Sequence, residues 1–165
     1  MGKLLLSAET VLPVSSKPLS NSSVLVSHGK IRDIGKTSAL RKRWGGVSEI
    51  DLGNGILLPG LVNAHTHLEL GWIFDRLRSF RGFTGWLSQI VKEKRNGVPD
   101  GDIIRSVEEG INTVIRSGVT TVGEISSYGG RDKPLLKNSG LRTVLFREIL
   151  DSNEGSTDFS TLEKS

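Results

Sequence analysis

Leu57-Leu58-Pro59-Gly60-Leu61-Val62-Asn63-Ala64-His65-Thr66-His67-Leu68-Glu69 is the stretch on which the fold turns. An apolar run passes through a Pro-Gly kink and stops at two histidines one residue apart. In an extended strand, residues i and i+2 point to the same side. His65 and His67 thus present two imidazoles on one face, at the C-terminal end of a buried strand expected over 56–64. Each neutral imidazole donates one nitrogen lone pair, which suits a divalent metal. Two histidines so spaced also occur by chance on solvated loops. The apolar run and its Leu-Pro-Gly entry are what distinguish this pair. His28, beside Gly29, reads as a turn residue rather than a ligand.

Before this stretch, residues 1–55 read as a β-rich segment. Lys3 to Val14 contain β-type runs broken by Pro13, and the serine-rich piece 15–23 reads as a loop or turn. Val24-Leu25-Val26-Ser27 and Ile31-Arg32-Asp33-Ile34-Gly35 flank His28-Gly29-Lys30 as a hairpin. A short helical or irregular piece at 37–44 precedes a strand candidate at 48–52.

After the stretch the character changes. Trp86, Leu87, Ile90 and Val91 fall at helical spacing, and a stronger helix has Ile103, Ile104, Val107, Ile111, Val114 and Ile115 on one face. Strands are expected at 119–125 and 141–149, with a short helix between them and the start of another near Ser156-Thr157-Asp158. Strands alternating with helices imply a parallel sheet with crossover helices.

Composition bounds the function. Hydrophobic residues make up 36% and charged residues 24%, values of a globular chain. No cysteine is present, which excludes disulfides and thiolate metal sites and suits a reducing compartment. No apolar run approaches a membrane span, and Glu9 breaks the first apolar run too early for a signal-peptide core. The expected location is cytoplasmic, with no membrane partner. The net charge of +4 is partly local, at Lys36, Arg41, Lys42 and Arg43. With only Trp44 nearby, that run reads as a solvated face, so no nucleic-acid partner is expected.

The segment Ile56 to Glu69 resembles the first barrel strand of the amidohydrolase superfamily, whose members carry L-x-P-G-x-[VI]-[ND]-x-H-x-H there. Gly118-Val119-Thr120-Thr121-Val122-Gly123-Glu124 resembles the family's second strand, and Gly140-Leu141-Arg142 through Glu148 its third. The hairpin with Gly29-Lys30-Ile31 and Ile34-Gly35 is similar to the β-sandwich segment preceding the barrel. Asn63 to Leu70, with Phe83-x-x-Trp86-Leu87 downstream, most resembles the deaminase and chlorohydrolase branch, with aminodeoxyfutalosine deaminase-like and cytosine deaminase-like members.

The resemblance implies an α/β chain: a β-sandwich segment over 1–55, then over 56–165 the first three βα units of an incomplete TIM-like (β/α)8 barrel. It implies one divalent metal ion, zinc or iron, held by His65 and His67 together with a histidine from a fifth strand and an aspartate from an eighth. The implied chemistry is attack of activated water on a carbon–nitrogen bond, deaminating a nucleoside- or base-like cyclic amidine, a small-molecule substrate. Glu69, at the barrel mouth or solvated, and Glu148, at a strand end, are candidate substrate contacts; Glu124 is a weaker one. The family's proton-transfer residues have no counterpart here, so the catalytic residues are unknown. A whole barrel takes about 250 residues. The expectation is therefore an N-terminal portion, inactive alone, with a homo-oligomer or a missing C-terminal half as partner. The alternatives are a non-catalytic binding module and an enzyme assembled in trans.

Overall fold

The computed structural model describes residues 2–78 and 82–148. The chain divides into two compact units, Met1–Pro59 and Gly60–Ser165. Ile149, at the end of the strand expected over 141–149, and the helix start expected at Ser156–Asp158 lie outside the described residues.

The first unit is one sheet. Strands β1 (Lys3–Val11), β2 (Leu19–Ser27) and β3 (Lys30–Lys36) run antiparallel in sequence. Strand β4 (Ser48–Asp51) returns parallel to β1, and β5 (Ile56–Leu57) pairs parallel with the far end of β1. The β2–β3 turn is His28-Gly29, both with positive φ, and His28 Nδ1 lies 2.9 Å from Ser27 Oγ. Helix α1 (Thr37–Arg43) lays Leu40 on Leu5 and Leu25, with Trp44 and Val47 closing this small core. The basic run is paired in part: Arg41 meets Glu49, and Arg43 meets Asp33.

Two expectations are corrected here. The serine-rich piece read as a loop is strand from Leu19 onward. Ser22 and Ser23 are buried opposite Ala8 and Ser7. The Ser23 hydroxyl donates to Ser7 Oγ at 2.9 Å and lies 2.7 Å from Thr37 Oγ1, while Ser7 bonds Glu49. Hydroxyls that satisfy one another sit in a sheet without leaving a polar group unpaired. The strand expected over 56–64 is also divided. Ile56-Leu57 belong to the first sheet, and the chain re-enters extended pairing only at Leu61. Pro59, which has no N–H for a ladder, falls in the gap.

The second unit holds a parallel sheet of β6 (Leu61–Thr66), β7 (Val119–Ser126) and β8 (Arg142–Arg147), in that order. Central β7 is its buried strand, with Val122, Gly123 and Glu124 covered. The histidine-bearing strand was expected to be buried, yet Val62 is 67% exposed. Among the described residues β6 pairs on one side only, with β7. A Cβ on Gly123 would lie 2.4 Å from the Ala64 carbonyl oxygen. Glycine at that position is what lets β7 approach the backbone just before His65.

Helices α2 (Gly82–Arg95), α3 (Asp100–Arg116) and α4 (Lys133–Asn138) form the rest, with an unanticipated 3₁₀ segment at Leu68–Arg76. α3 opens on Asp100 and Asp102, which complement the positive end of its dipole. It buries Val107 and Ile111 in a cluster with Leu68, Val122 and Leu136. Gly110 makes room: a Cβ there would stand 3.0 Å from Leu68 Cδ2. Trp72, Ile73 and Ile90 form a second cluster between the 3₁₀ segment and α2, against which Trp86 and Tyr128 pack. None of the described helices is long and apolar enough to cross a membrane.

Candidate metal centre

His65 is the penultimate residue of β6, and His67 stands between the strand and the 3₁₀ segment. Their ring centroids are 5.2 Å apart, with the planes at 69°. His67 is the more buried. Burial pushes its pKa below the ordinary histidine value and outweighs the opposing pull of the Glu148 charge; His65 and Lys94 add to the lowering. The imidazole is thereby held neutral, the form that donates a lone pair to a metal. Its Nδ1 is buried without a hydrogen-bond partner.

The segment after His67 is fastened to β7 by two carboxylates. The Leu68 N–H donates to Glu124 Oε1 at 2.9 Å. In return Glu69, from the 3₁₀ segment, accepts the Ser127 N–H at 2.7 Å and the Tyr128 N–H at 3.4 Å. Glu69 and Glu124 are fully buried, as is Asp132, which accepts the Ser126 hydroxyl at 2.8 Å. Burial raises the Glu124 pKa to about 8; the Leu68 N–H opposes the rise, and Asp132 and Glu69 add to it. Burial likewise pushes Glu69 above the usual carboxylate range, against the pull of Ser127. The solvated alternative for Glu69 is therefore corrected. Both of its oxygens face backbone amides, because the 3₁₀ turn directs residue 69 inward.

Glu148 follows β8, and its N–H donates to the Ser126 carbonyl at 2.9 Å. Its Oε2 accepts Lys94 Nζ at 3.0 Å, and the same ammonium donates to Ser127 Oγ at 2.9 Å and lies 5.5 Å from the centre of the Tyr128 ring. Burial raises the Glu148 pKa, but Ser127, Lys94 and the His67 charge together bring it below the ordinary carboxylate value. Tyr128 is pushed up to about 12, chiefly by burial.

The fold thus brings His65 and His67 together, sets Glu148 within the field of His67, and turns Glu69 onto backbone. Lys94, Tyr128 and Asp132 were missed. Lys94 sits in a basic last helical turn with Lys92 and Arg95, which reads as ordinary dipole complement. Asp132 carries no local signal at all.

Whether a metal suits these residues turns on the donor set. Two imidazoles with ring centres 5.2 Å apart, one kept neutral and with an orphaned nitrogen, have the donor chemistry that would hold one shared divalent ion. Among the described residues no group of three or more His, Cys, Asp or Glu comes together as a ligand set.

Comparison with known proteins gives this arrangement a context. The amidohydrolase family model matches residues 56–164. Aminodeoxyfutalosine deaminase of Nitratiruptor sp. is 31% identical over 131 residues, covering 78% of this chain and 31% of that protein. A 5-methylthioadenosine/S-adenosylhomocysteine deaminase of Moorella thermoacetica is 26% identical, covering 94% of this chain and 36% of its own length. The crystal structure of Helicobacter pylori aminofutalosine deaminase in complex with methylthio-coformycin superposes with a TM-score of 0.75 at 29% identity, over 90% of this chain and 36% of that one. The chain spans about a third of the length of these relatives. The matched family model, covering the strand that leads into His65 and His67 together with β7 and β8, shows that the chain belongs to the amidohydrolase family.

Proposed function

We propose that the strand-end cluster is part of the metal site of a hydrolytic deaminase acting on a nucleoside-like small molecule that carries an amino group on a cyclic amidine. The observation that carries this is the imidazole pair at the end of β6, with His67 held neutral by burial. His65 and His67 would hold one divalent ion, zinc or iron, both of which accept imidazole. Such an ion supplies Lewis acidity and lowers the pKa of a water. Glu148, kept ionised, is placed to accept a hydrogen bond from a substrate N–H. Glu69 and Glu124 hold the His67 segment on β7 rather than touching substrate.

Residues 1–55 as a β-sandwich segment and 56–165 as the opening of a (β/α)8 barrel are the matching architectural proposal. The deaminase names of the relatives support the reaction class. A catalytic zinc usually has three protein ligands. With two in hand, the 165-residue chain is proposed to bind metal openly and to turn over no substrate by itself.

The test is zinc titration of the chain by calorimetry. Wild type and His28→Ala should bind equally, and His65→Ala and His67→Ala should each weaken binding by more than about tenfold. Unchanged affinity in either site variant removes the ligand assignment. Zinc-dependent ammonia release from adenosine above background would overturn the proposal that the chain is inactive alone.

A further inference from the structure

We infer that Lys94 is a positioning residue of this site, with its ammonium clamping the loop after β7 and the end of β8 so that the Glu148 carboxylate faces the histidine segment. The inference rests on the functional reading just given, because it assigns Lys94 a part in that site.

The argument begins with what a lysine near the end of a helix normally does. An ammonium is strongly hydrated and sits on a flexible stem, so it usually stays in water. The Lys94 side chain is instead only 15% exposed. Burying a charge is costly unless it is paired and hydrogen-bonded. The partners here come from two other elements, at short range. Ser127 Oγ accepts at 2.9 Å from the loop after β7, and Glu148 Oε2 accepts at 3.0 Å from the end of β8. The Tyr128 ring lies within the reach of a cation–π contact.

The two acceptors are themselves held. The Ser127 and Tyr128 amides donate to Glu69, two residues after His67. The Glu148 amide donates to the Ser126 carbonyl. The dipeptide 127–128 is thus gripped on its backbone by the histidine segment and on its side chains by Lys94. One ammonium closes a path from His67 through Glu69 and Ser127 to Glu148. Without it, the Glu148 carboxylate loses its charge-assisted hydrogen bond and keeps only the weaker hold of the Ser127 hydroxyl, so it is freer to swing into water.

The test uses the full chain as Lys94→Met, Lys94→Arg and, as control on the same helix, Lys92→Met. Amide hydrogen exchange at Ser127 and Glu148, read by NMR, should quicken roughly tenfold in K94M, in line with the loss of charge-assisted hydrogen bonds. It should return most of the way in K94R and stay at the wild-type rate in K92M. The carboxyl resonance of Glu148 should shift in K94M and recover in K94R, which a general loosening of the helix would not reproduce. Exchange and carboxyl shift in K94M equal to wild type would overturn the clamp. Should K94M not fold, the wild-type ammonium carries the decision. A slowly exchanging Nζ resonance supports the clamp, and exchange as fast as that of Lys92 rejects it. Zinc titration of the same samples separates the two proposals. Loss of the clamp with normal zinc binding sinks nothing in the metal assignment, and an intact clamp in a chain that binds no zinc sinks the metal reading and leaves Lys94 a purely structural tie.

Discussion

The two units treat buried polarity in opposite ways. In the first, the buried polar groups are serine hydroxyls, and Ser7 and Ser23 join Thr37 and Glu49 in a chain. Its ion pairs, Arg41–Glu49 and Arg43–Asp33, stay at the surface. In the second, three carboxylates are fully buried, and every buried polar side-chain atom found without a partner among the described residues lies there: His67 Nδ1, Trp72 Nε1, Glu124 Oε2, Tyr128 OH, Asp132 Oδ2 and Thr143 Oγ1. The first sheet settles its buried hydroxyls on one another and on a carboxylate that stays at the surface. Buried carboxylates with unused oxygens, gathered beside two histidines, mark a place where polarity serves something other than stability.

The largest expected effect tests that contrast at Glu124. Glu124→Ala should cost about 3 kcal/mol, because it opens a cavity and orphans the buried Leu68 N–H. Chemical denaturation of the second unit reads it, and a loss below that of a hydroxyl deletion in the first unit would break the comparison. Glu124 also predicts a pH profile. Its folded pKa, about 8, lies above the ordinary 4.5, so the folded chain keeps a proton that the unfolded chain releases. Its contribution is therefore full below pH 4.5, falls as pH rises toward about 8, and is level above that. Glu124→Gln should flatten this decline. A wild-type profile no steeper than that of the glutamine variant would show that the carboxyl is not held neutral.

Next in size is Gly123→Ala. Its added Cβ meets the Ala64 carbonyl oxygen, so it should cost about 2 kcal/mol and weaken zinc binding by displacing β6 next to His65. Unchanged zinc affinity would separate the strand pairing from the placement of the imidazoles.

The smallest effects belong to the first unit. Ser23→Ala should cost about 1 kcal/mol, and Arg41→Ala less than that, since its pair with Glu49 is at the surface. Thermal denaturation ranks the two. A Ser23→Ala cost matching that of Glu124→Ala would erase the distinction between the units.

Much of this molecule could be read before its structure was known. The histidine pair, the apolar face of α3 and the β-branched run of β7 are local patterns with local causes. The 3₁₀ segment was not legible, because Leu68 to Arg76 has no strong period and is shaped by Leu68 and Trp72 packing into separate clusters. The serines of β2 were misjudged because turn preference is a property of the residue, whereas their burial depends on Ser7 across the sheet.

By itself the sequence determined the alternation of elements, the family and the two imidazoles, since spacing along a strand dictates which side chains share a face. Only tertiary structure decided which carboxylate does what. Glu69 and Glu148 looked alike as acids near strand ends. One is consumed by the amides of Ser127 and Tyr128, and the other is held charged by a lysine 54 positions away. A carboxyl's role follows from its desolvation and its partners, and both come from chain segments distant in sequence.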